Sequence, residues 1–427
     1  MDDDWIERDA AVVWHGFTQM AAYPDNSPVI VERAEGHELI DTAGRRYLDA
    51  ISSLWVATLG HRVPQLDAAL ADQLGRVAHS TMLGHGNRTV IELAEALATL
   101  VPVDRPHFLF ASDGAAAVEQ AIKIAFQFWV NEGVEGRTTY LAFGGAYHGD
   151  TVGSLSVGAG GFGTDLFDPL RFPVIHAPGF DDPECFDAAA RIIRQKRDEL
   201  AAVIVEPLVQ GAAGMRIAPP EAFGPLADAC RSTGLLLICD EVATGFGRTG
   251  HLFASEAATL QPDLLCLGKG MTGGYLPMSA TAANRRVFDA FVGPDLSERT
   301  LYHGHSYGGN ALAAAVALRH LELLQELNVL ENVATRSQGL RDLLDERVRP
   351  LPGITDVRLC GLMGAVELDC ADDLLRARRA CNVATQNGVL VRSLGPSIII
   401  VPPLTIGAEE VNRIVEALEK AIVEVGP

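Results

Sequence analysis

Residues 235–241 read LLLICDE and residues 264–270 read LLCLGKG. Each stretch is an apolar run of strand length that ends in charged residues: Asp240 and Glu241 in the first, Lys269 in the second. The apolar part of the first stretch shows no polar alternation, which is typical of a strand that is buried on both faces of a mainly parallel sheet. The two stretches therefore predict buried strands with polar residues at their carboxyl ends.

Further apolar runs on both sides of this pair extend the predicted sheet, and helical patterns separate several of them. One such pattern places Val118, Ile122, Ala125 and Trp129 on a single helix face. The additional strands are predicted at His107–Ala111, Thr139–Phe143, Val203–Val205 and Met278–Ala282. This alternation predicts an α/β fold with a mainly parallel sheet.

The two ends of the chain have shorter elements. Short antiparallel strands are predicted within Val29–Ile51, around the turn Thr42-Ala43-Gly44. Helices are predicted near Pro64–Val77, Thr89–Leu100, Asn310–Leu327 and from Ala408, and strands at Val366–Leu368, Val389–Arg392 and Ile398–Val401. We expect a large domain over residues 61–325 and a smaller α/β domain that includes residues 1–60 and 326–427.

Composition limits the classes of protein that fit. The chain has 427 residues, of which 48% are hydrophobic and 21% charged, as in globular proteins. A formal net charge of −21 disfavours nucleic acid and acidic membrane surfaces as partners, so we expect small-molecule partners.

The cysteines and the amino-terminal residues predict a cytoplasmic protein. Seven cysteines, an odd number without any C-x-x-C, indicate free and mostly buried thiols in a reducing compartment. The start MDDDWIERD is acidic, unlike a signal peptide, and no apolar run reaches the ~18 residues of a membrane span.

Three polar features follow three of the predicted strands. Asp113-Gly114-Ala115-Ala116 follows the strand at 107–111, Asp240 follows the run at 235–239, and Lys269 follows the run at 264–267. Because the carboxyl ends of parallel strands share one edge of a sheet, we expect these features to form one ligand site.

Each feature has more than one interpretation when it is taken alone. Lys269 could be a solvated surface residue, although its position after a buried strand favours a partner or a covalent adduct. An ATP-binding P-loop is excluded. That motif requires Ser or Thr at position 270, where this chain has Gly, and Gly at position 263, where it has Asp. Asp240 could cap a following helix, or it could pair with the cationic ring nitrogen of a ligand. The small residues after Asp113 suit a phosphate at a helix amino terminus.

Two other motifs are interpreted as unrelated to function. Gly158–Gly163 satisfies G-x-G-x-x-G, but Pro169 and Pro173 interrupt the helix that a dinucleotide site requires. His303 and His305 are not joined by other clustered ligands, so we predict no metal site.

Together these residues resemble the class III aminotransferases of pyridoxal-phosphate (PLP) fold type I, over essentially the whole chain. The resemblance rests on 236–250 (LLICDEVATGFGRTG), 262–269 (PDLLCLGK), 147–151 (YHGDT) and 302–310 (YHGHSYGGN). It implies a PLP cofactor held as a Schiff base on Lys269, with Asp240 at the ring nitrogen and Tyr147 stacked on the ring. It also implies phosphate contacts from Gly114, Ala115 and Ser306, and a homodimer in which Ser306 reaches the active site of the neighbouring subunit.

Within the class, the chain resembles the branch that aminates 8-amino-7-oxononanoate in biotin synthesis. The segments that carry this resemblance are 14–20 (WHGFTQM), 52–55 (SSLW), 201–214 (AAVIVEPLVQGAAG) and 389–403 with Arg392. The implied substrate-binding residues are Phe17, Leu54, Trp55, Tyr147, Gly304 and Arg392, with Arg392 at a carboxylate.

Three positions depart from relatives within this resemblance. Members that use S-adenosylmethionine as amino donor have Tyr and Trp where this chain has Phe17 and Leu54, so lysine is the favoured donor. Ala115, where relatives often have Ser, removes one phosphate ligand.

Other functions remain open at this point. A broad-specificity amine, diamine or ω-amino acid aminotransferase that uses pyruvate or 2-oxoglutarate would share nearly every cofactor residue. An aminomutase or decarboxylase of the same class, and a PLP-fold protein that acts only as a binding partner, are further alternatives.

Overall fold

The computed structural model describes residues 4–161 and 163–426. Its strands, numbered in chain order, are β1 Val31–Glu35, β2 Glu38–Asp41, β3 Arg46–Asp49, β4 His107–Ala111, β5 Thr139–Phe143, β6 Val174–Ala177, β7 Leu200–Val205, β8 Val209–Gln210, β9 Arg216–Ile217, β10 Leu236–Asp240, β11 Leu264–Leu267, β12 Ser279–Ala283, β13 Ile354–Cys360, β14 Met363–Leu368, β15 Val389–Leu390, β16 Arg392–Leu394 and β17 Ser397–Ile400.

The helices connect and cover these strands. They are α1 Trp5–Val12, α2 Ser52–Trp55, α3 Pro64–Leu74, α4 Arg88–Ala98, α5 Gly114–Asn131, α6 Val152–Val157, α7 Cys185–Gln195, α8 Gly224–Thr233, α9 Ala254–Ala257, α10 Arg285–Asp289, α11 Ala311–Glu326, α12 Val329–Arg347, α13 Arg376–Gln386 and α14 Ala408–Val425. Within the described ranges, none of them combines the length and apolar composition needed to cross a lipid bilayer.

A seven-stranded sheet in the order β4-β12-β11-β10-β7-β5-β6 forms the centre of the molecule. Its neighbours pair in parallel except at β12, which is antiparallel to both β11 and β4. The predicted α/β fold with a mainly parallel sheet is therefore confirmed. The edge strand β6 was not predicted, because it has four residues, of which only Ala177 is buried, and lacks a long apolar run.

The central strands are buried because helices cover the sheet. Every residue of β7, β10 and β11 is buried, which accounts for their apolar sequence, unbroken except for Asp240 at the end of β10. The predicted apolar stripe of α5 is confirmed, since Val118, Ile122, Ala125 and Trp129 are all buried in one cluster with residues of these strands. The Trp129 indole donates a 2.7 Å hydrogen bond to the carbonyl oxygen of Ala201.

Two smaller sheets use the ends of the chain. β1, β2 and β3 are antiparallel, as predicted, and β15 pairs in parallel with β3 through Val389 and Leu48. β13, β14, β17 and β16 form a second, antiparallel sheet. One sheet thus joins residues from both ends of the chain. The division into residues 1–60, 61–325 and 326–427 stays a proposal, which this shared sheet supports.

Candidate active site

A cavity of about 460 Å³ opens at the carboxyl ends of the parallel strands. Its lining includes six of the eleven predicted site residues, namely Trp55, Gly114, Ala115, Tyr147, Asp240 and Lys269. The other five, Phe17, Leu54, Gly304, Ser306 and Arg392, lie outside this lining at exposed positions. The residues at the carboxyl ends of β4, β10 and β11 therefore line one cavity, as the order of the strands predicts.

Lys269 directly follows Gly268 at the end of β11 and lies in the left-handed backbone region, with φ of +37°. Its amino nitrogen lies 5.1 Å from the centre of the Trp55 ring. Burial lowers the pKa of the Lys269 amine, whereas the negative charges of Asp240 and Glu206 oppose that shift. The lowered pKa increases the fraction of neutral amine, which is the nucleophilic form.

Asp240 is the last residue of β10 and is buried. Its Oδ2 lies 2.7 Å from Nδ1 of His148, and its Oδ1 accepts a 3.0 Å hydrogen bond from the backbone N–H of Val242. The segment from 241 to 250 forms turns and no helix, so the interpretation of Asp240 as a helix cap is wrong. The carboxylate is instead held at the cavity by a buried imidazole.

Tyr147 follows β5 and is partly buried in the cavity wall. Its hydroxyl donates a 2.8 Å hydrogen bond to Oδ2 of Asp150. Burial raises the pKa of the Tyr147 phenol, and this hydrogen bond raises it further by a smaller amount. The phenol therefore stays neutral across the physiological pH range.

Helix α5 begins at the cavity, where Asp113 caps it by accepting a 2.9 Å hydrogen bond from the N–H of Ala116. A Cβ atom at Gly114 would lie 2.5 Å from Cγ1 of Val242, so a larger residue would require displacement there. The amino end of an 18-residue helix is electropositive and provides N–H donors, which suits an anionic group.

Two buried ionisable residues of the cavity lining were missed as site residues in the sequence. His148 is buried, and its Nε2 has no hydrogen-bond partner within the described chain. Glu206 is also buried, and burial raises the pKa of its carboxyl group to about 7. A signal for Glu206 was available, because it follows the buried run at 200–205 as Asp240 ends the run at 236–240.

The remaining motifs lie outside the cavity. Gly304 and Ser306 lie on an exposed loop, where the carbonyl oxygen of Ser306 accepts a 2.7 Å hydrogen bond from Nε2 of His79. The G-x-G-x-x-G stretch includes Phe162, which lies outside the described residues. Helix α6 precedes this stretch and a 3-10 helix, Thr164–Leu170, follows it, so the strand–turn–helix context of a dinucleotide site is not met.

Comparisons with known proteins agree with this geometry. A family profile described as aminotransferase class-III matches residues 19–422. The chain is 43% identical to the adenosylmethionine-8-amino-7-oxononanoate aminotransferase of Nitratidesulfovibrio vulgaris, over 98% of this chain and 81% of that protein. The crystal structure of the enzyme of the same name from Methanocaldococcus jannaschii superimposes with a TM-score of 0.93 at 37% identity and covers 98% of each chain. An amine transaminase from an uncultivated Pseudomonas species gives a TM-score of 0.88 at 33% identity, with 97% of this chain and 99% of that one covered.

The chain belongs to the class III aminotransferase family. It is accordingly a PLP-dependent aminotransferase with PLP fold type I. The predictions of family, fold, enzyme class and cofactor are confirmed.

Proposed function

We propose that this enzyme transfers an amino group to 8-amino-7-oxononanoate and forms 7,8-diaminononanoate, a step of biotin synthesis. The observation that carries the proposal is the 43% identity, over 98% of the chain, to a relative named for this acceptor. The cavity supports it further, because Lys269 and Asp240 line the same space as Tyr147.

The residues of the cavity fit the functional groups of PLP. The Lys269 amine suits the aldehyde, the Asp240 carboxylate suits the ring nitrogen, and Tyr147 provides an aromatic face. Gly114 and Ala115, at the start of α5, suit the phosphate, because the absence of a side chain at Gly114 lets the backbone lie against Val242. When bound, PLP withdraws electrons from the reacting carbon of the substrate.

In this proposal each side chain has a separate task. Lys269 accepts a proton at Nζ from the reacting carbon of the donor and later returns a proton to the acceptor. Asp240 would keep the ring nitrogen of bound PLP protonated, and Tyr147 would provide an aromatic face against the ring. Donor and acceptor use the same cavity in turn, as a ping-pong mechanism requires.

Substrate contacts are proposed both in the cavity lining, at Trp55 and Tyr147, and at exposed residues outside it. Arg392, the first residue of β16, lies near enough to Tyr147 for its charge to lower the pKa of the phenol, against the larger effect of burial. We infer that Arg392 binds a substrate carboxylate, since a guanidinium can donate two parallel hydrogen bonds to it. Phe17, Leu54, Trp55 and Gly304 are the other proposed substrate contacts.

We further propose lysine as the preferred amino donor. Phe17 and Leu54 are 60% and 47% exposed, and they offer apolar surface without a hydroxyl or an indole. The relatives at 36–43% identity carry adenosylmethionine in their names, so their naming points to a different donor for those proteins. The lysine preference therefore depends on these two positions and on the resemblance of 15–20 (HGFTQM), 52–55 (SSLW) and 303–310 (HGHSYGGN) to the branch that uses lysine.

A second candidate is a broad-specificity amine aminotransferase with pyruvate or 2-oxoglutarate as acceptor. The similarity to the Pseudomonas amine transaminase favours it. The two candidates differ in the acceptor that supports turnover.

We infer a homodimer located in the cytoplasm. Support for the dimer comes from Gly304 and Ser306, which lie on an exposed loop away from the cavity of their own chain. Support for a reducing compartment comes from the seven cysteines, all of which are free and five of which are buried.

The test is an acceptor and donor screen with the purified, PLP-loaded enzyme. We expect 7,8-diaminononanoate to form from 8-amino-7-oxononanoate, as measured by mass spectrometry. Lys269→Ala removes both the cofactor link and the proton carrier, so we expect no turnover, whereas Lys420→Ala, on the exposed face of α14, serves as the matched control. Normal rates in Lys269→Ala would contradict the proposal, and turnover with pyruvate but not with 8-amino-7-oxononanoate would favour the second candidate.

A further inference from the structure

Glu206 is a buried carboxyl group in the cavity wall that has no task in the reaction described above. It directly follows β7, the strand between β5 and β10. Its Oε1 accepts a 3.2 Å hydrogen bond from the backbone N–H of Tyr147, and its Oε2 accepts a 3.1 Å hydrogen bond from that of Gly211. One carboxylate thereby joins two segments that are distant in sequence.

Both of these segments support an aromatic ring at the cavity. Tyr147 carries its own ring, and the backbone at Gly211 packs against the ring of Trp55. A Cβ atom at Gly211 would lie 3.0 and 3.2 Å from Cζ3 and Cη2 of Trp55. A substitution at Glu206 would therefore disturb the backbone at Tyr147 and at Gly211, and with it the positions of the Tyr147 and Trp55 rings.

Three ionisable side chains act on Glu206 or respond to it. Against the larger effect of burial, the charge of His148 lowers the pKa of the Glu206 carboxyl group, whereas the charge of Asp240 raises it. The charges of Asp240 and Glu206 both raise the pKa of the Lys269 amine, against the larger effect of burial. Above about pH 7, where the Glu206 carboxyl group is mainly ionised, removal of its charge would leave Asp240 as the remaining negative charge that stabilises the protonated amine.

We propose that Glu206 is a positioning residue of the cofactor site, which sets the separation of the Tyr147 and Trp55 rings and supplies a second negative charge beside the Lys269 amine. This inference rests on the proposed function only in that PLP is the group bound at Lys269.

Two variants separate the two effects. Glu206→Gln keeps the size of the side chain and removes its charge. Glu206→Asp keeps the charge, but its side chain is one methylene shorter, so it cannot reach both N–H groups. Glu241→Gln is the matched control, because Glu241 is another buried carboxyl group and accepts hydrogen bonds from the N–H groups of Ala254 and Ser255, away from the cavity lining.

The first measurement is a pH titration of the visible absorbance of the PLP-loaded, full-length protein. Its midpoint reports the proton on the nitrogen of Lys269. In Glu206→Gln we expect the midpoint to fall by roughly one pH unit, because a neighbouring negative charge is lost. In Glu206→Asp and in Glu241→Gln it should stay near the wild-type value.

The second measurement is cofactor retention in equilibrium dialysis. We expect the PLP dissociation constant to rise roughly tenfold in both Glu206 variants, since each disturbs the backbone hydrogen bonds. It should stay near the wild-type value in Glu241→Gln.

An unchanged midpoint in Glu206→Gln, or an equal shift in Glu241→Gln, would overturn the inference. If Glu206→Gln fails to fold by circular dichroism, wild-type retention in Glu206→Asp would overturn it instead. Neither measurement uses an amino acceptor, so a protein that shows both effects but does not aminate 8-amino-7-oxononanoate would count against the proposed function alone.

Discussion

At the scale of single residues, Asp240 shows how a cavity carboxylate is held by a backbone N–H and a buried imidazole. One oxygen accepts from a backbone N–H and the other lies against His148, whose own burial leaves its Nε2 unpaired within the described residues. Both contacts are short, so the carboxylate has little freedom to turn away from the cavity. Its orientation is thus set before any ligand binds.

Asp240→Asn tests the proposed task of this carboxylate. An amide retains the acceptor for the Val242 N–H, so we expect the fold to persist, but it cannot hold a ring nitrogen protonated. We expect the steady-state rate to fall at least ~100-fold. Asp263→Asn is the control, because Asp263 is a largely buried carboxylate that contacts the N–H of Leu237 and the amide of Asn284, away from the cavity. Near-native activity of Asp240→Asn would assign Asp240 a structural task only.

Donor choice is also a question about two residues, Phe17 and Leu54. Lysine should react faster than S-adenosylmethionine in single-turnover bleaching of the PLP form at equal donor concentrations. The double variant Phe17→Tyr/Leu54→Trp should shift this preference towards S-adenosylmethionine by about 100-fold, since a hydroxyl and an indole restore a hydrogen bond and a stacking face. A faster reaction of the wild-type enzyme with S-adenosylmethionine would refute the lysine proposal.

At the scale of elements, the start of α5 depends on a close approach between two segments. Gly114, its first residue, lies against Val242 in the turn that follows β10. This contact brings the amino end of the helix to the same edge of the sheet as Asp240. The proposed phosphate site therefore depends on the packing of two elements, and not on a loop motif alone.

Gly114→Ala should weaken cofactor binding, because the new methyl group would lie 2.5 Å from the Val242 side chain and force one segment to move. We expect a loss of about 1–3 kcal/mol in the free energy of unfolding and a higher PLP dissociation constant. Gly224→Ala is the matched control, since Gly224 is also the first residue of a helix, α8, and a Cβ atom there meets nothing within 4 Å. Equal effects of the two substitutions, measured by urea unfolding and dialysis, would show that the contact with Val242 is unimportant.

At the scale of the whole molecule, the five proposed site residues outside the cavity lining define an incomplete active site. Gly304 and Ser306 lie on the exposed loop, and Phe17, Leu54 and Arg392 are exposed as well. A second copy of the chain that packs over this region would add to the site the contacts that the resemblance implies.

We therefore expect dimer dissociation and cofactor loss to occur together on dilution. A cofactor that binds at the interface stabilises the dimer by mass action, so added PLP should lower the concentration at which monomers appear. Sedimentation at a series of protein concentrations, with and without PLP, measures this. A fully active monomer would contradict the proposal.

The sequence alone determined the α/β class, most strands of the central sheet and the positions of Lys269 and Asp240. These features are encoded locally, because a buried parallel strand requires an unbroken apolar run and its polar carboxyl end follows directly in the chain. The resemblance to class III aminotransferases added the cofactor and the expectation that Tyr147 stacks on it.

Only the tertiary structure decided which distant residues meet. His148 contacts Asp240 across 92 positions, and Glu206 reaches Tyr147 across 59, because β7 lies between β5 and β10 in the sheet. The ring of Trp55 lies beside Lys269 because the amino-terminal part of the chain packs at the edge of the large sheet where Lys269 lies. Strand order and long-range packing arise from the burial of many side chains at once, and no local pattern of apolar and polar residues specifies them.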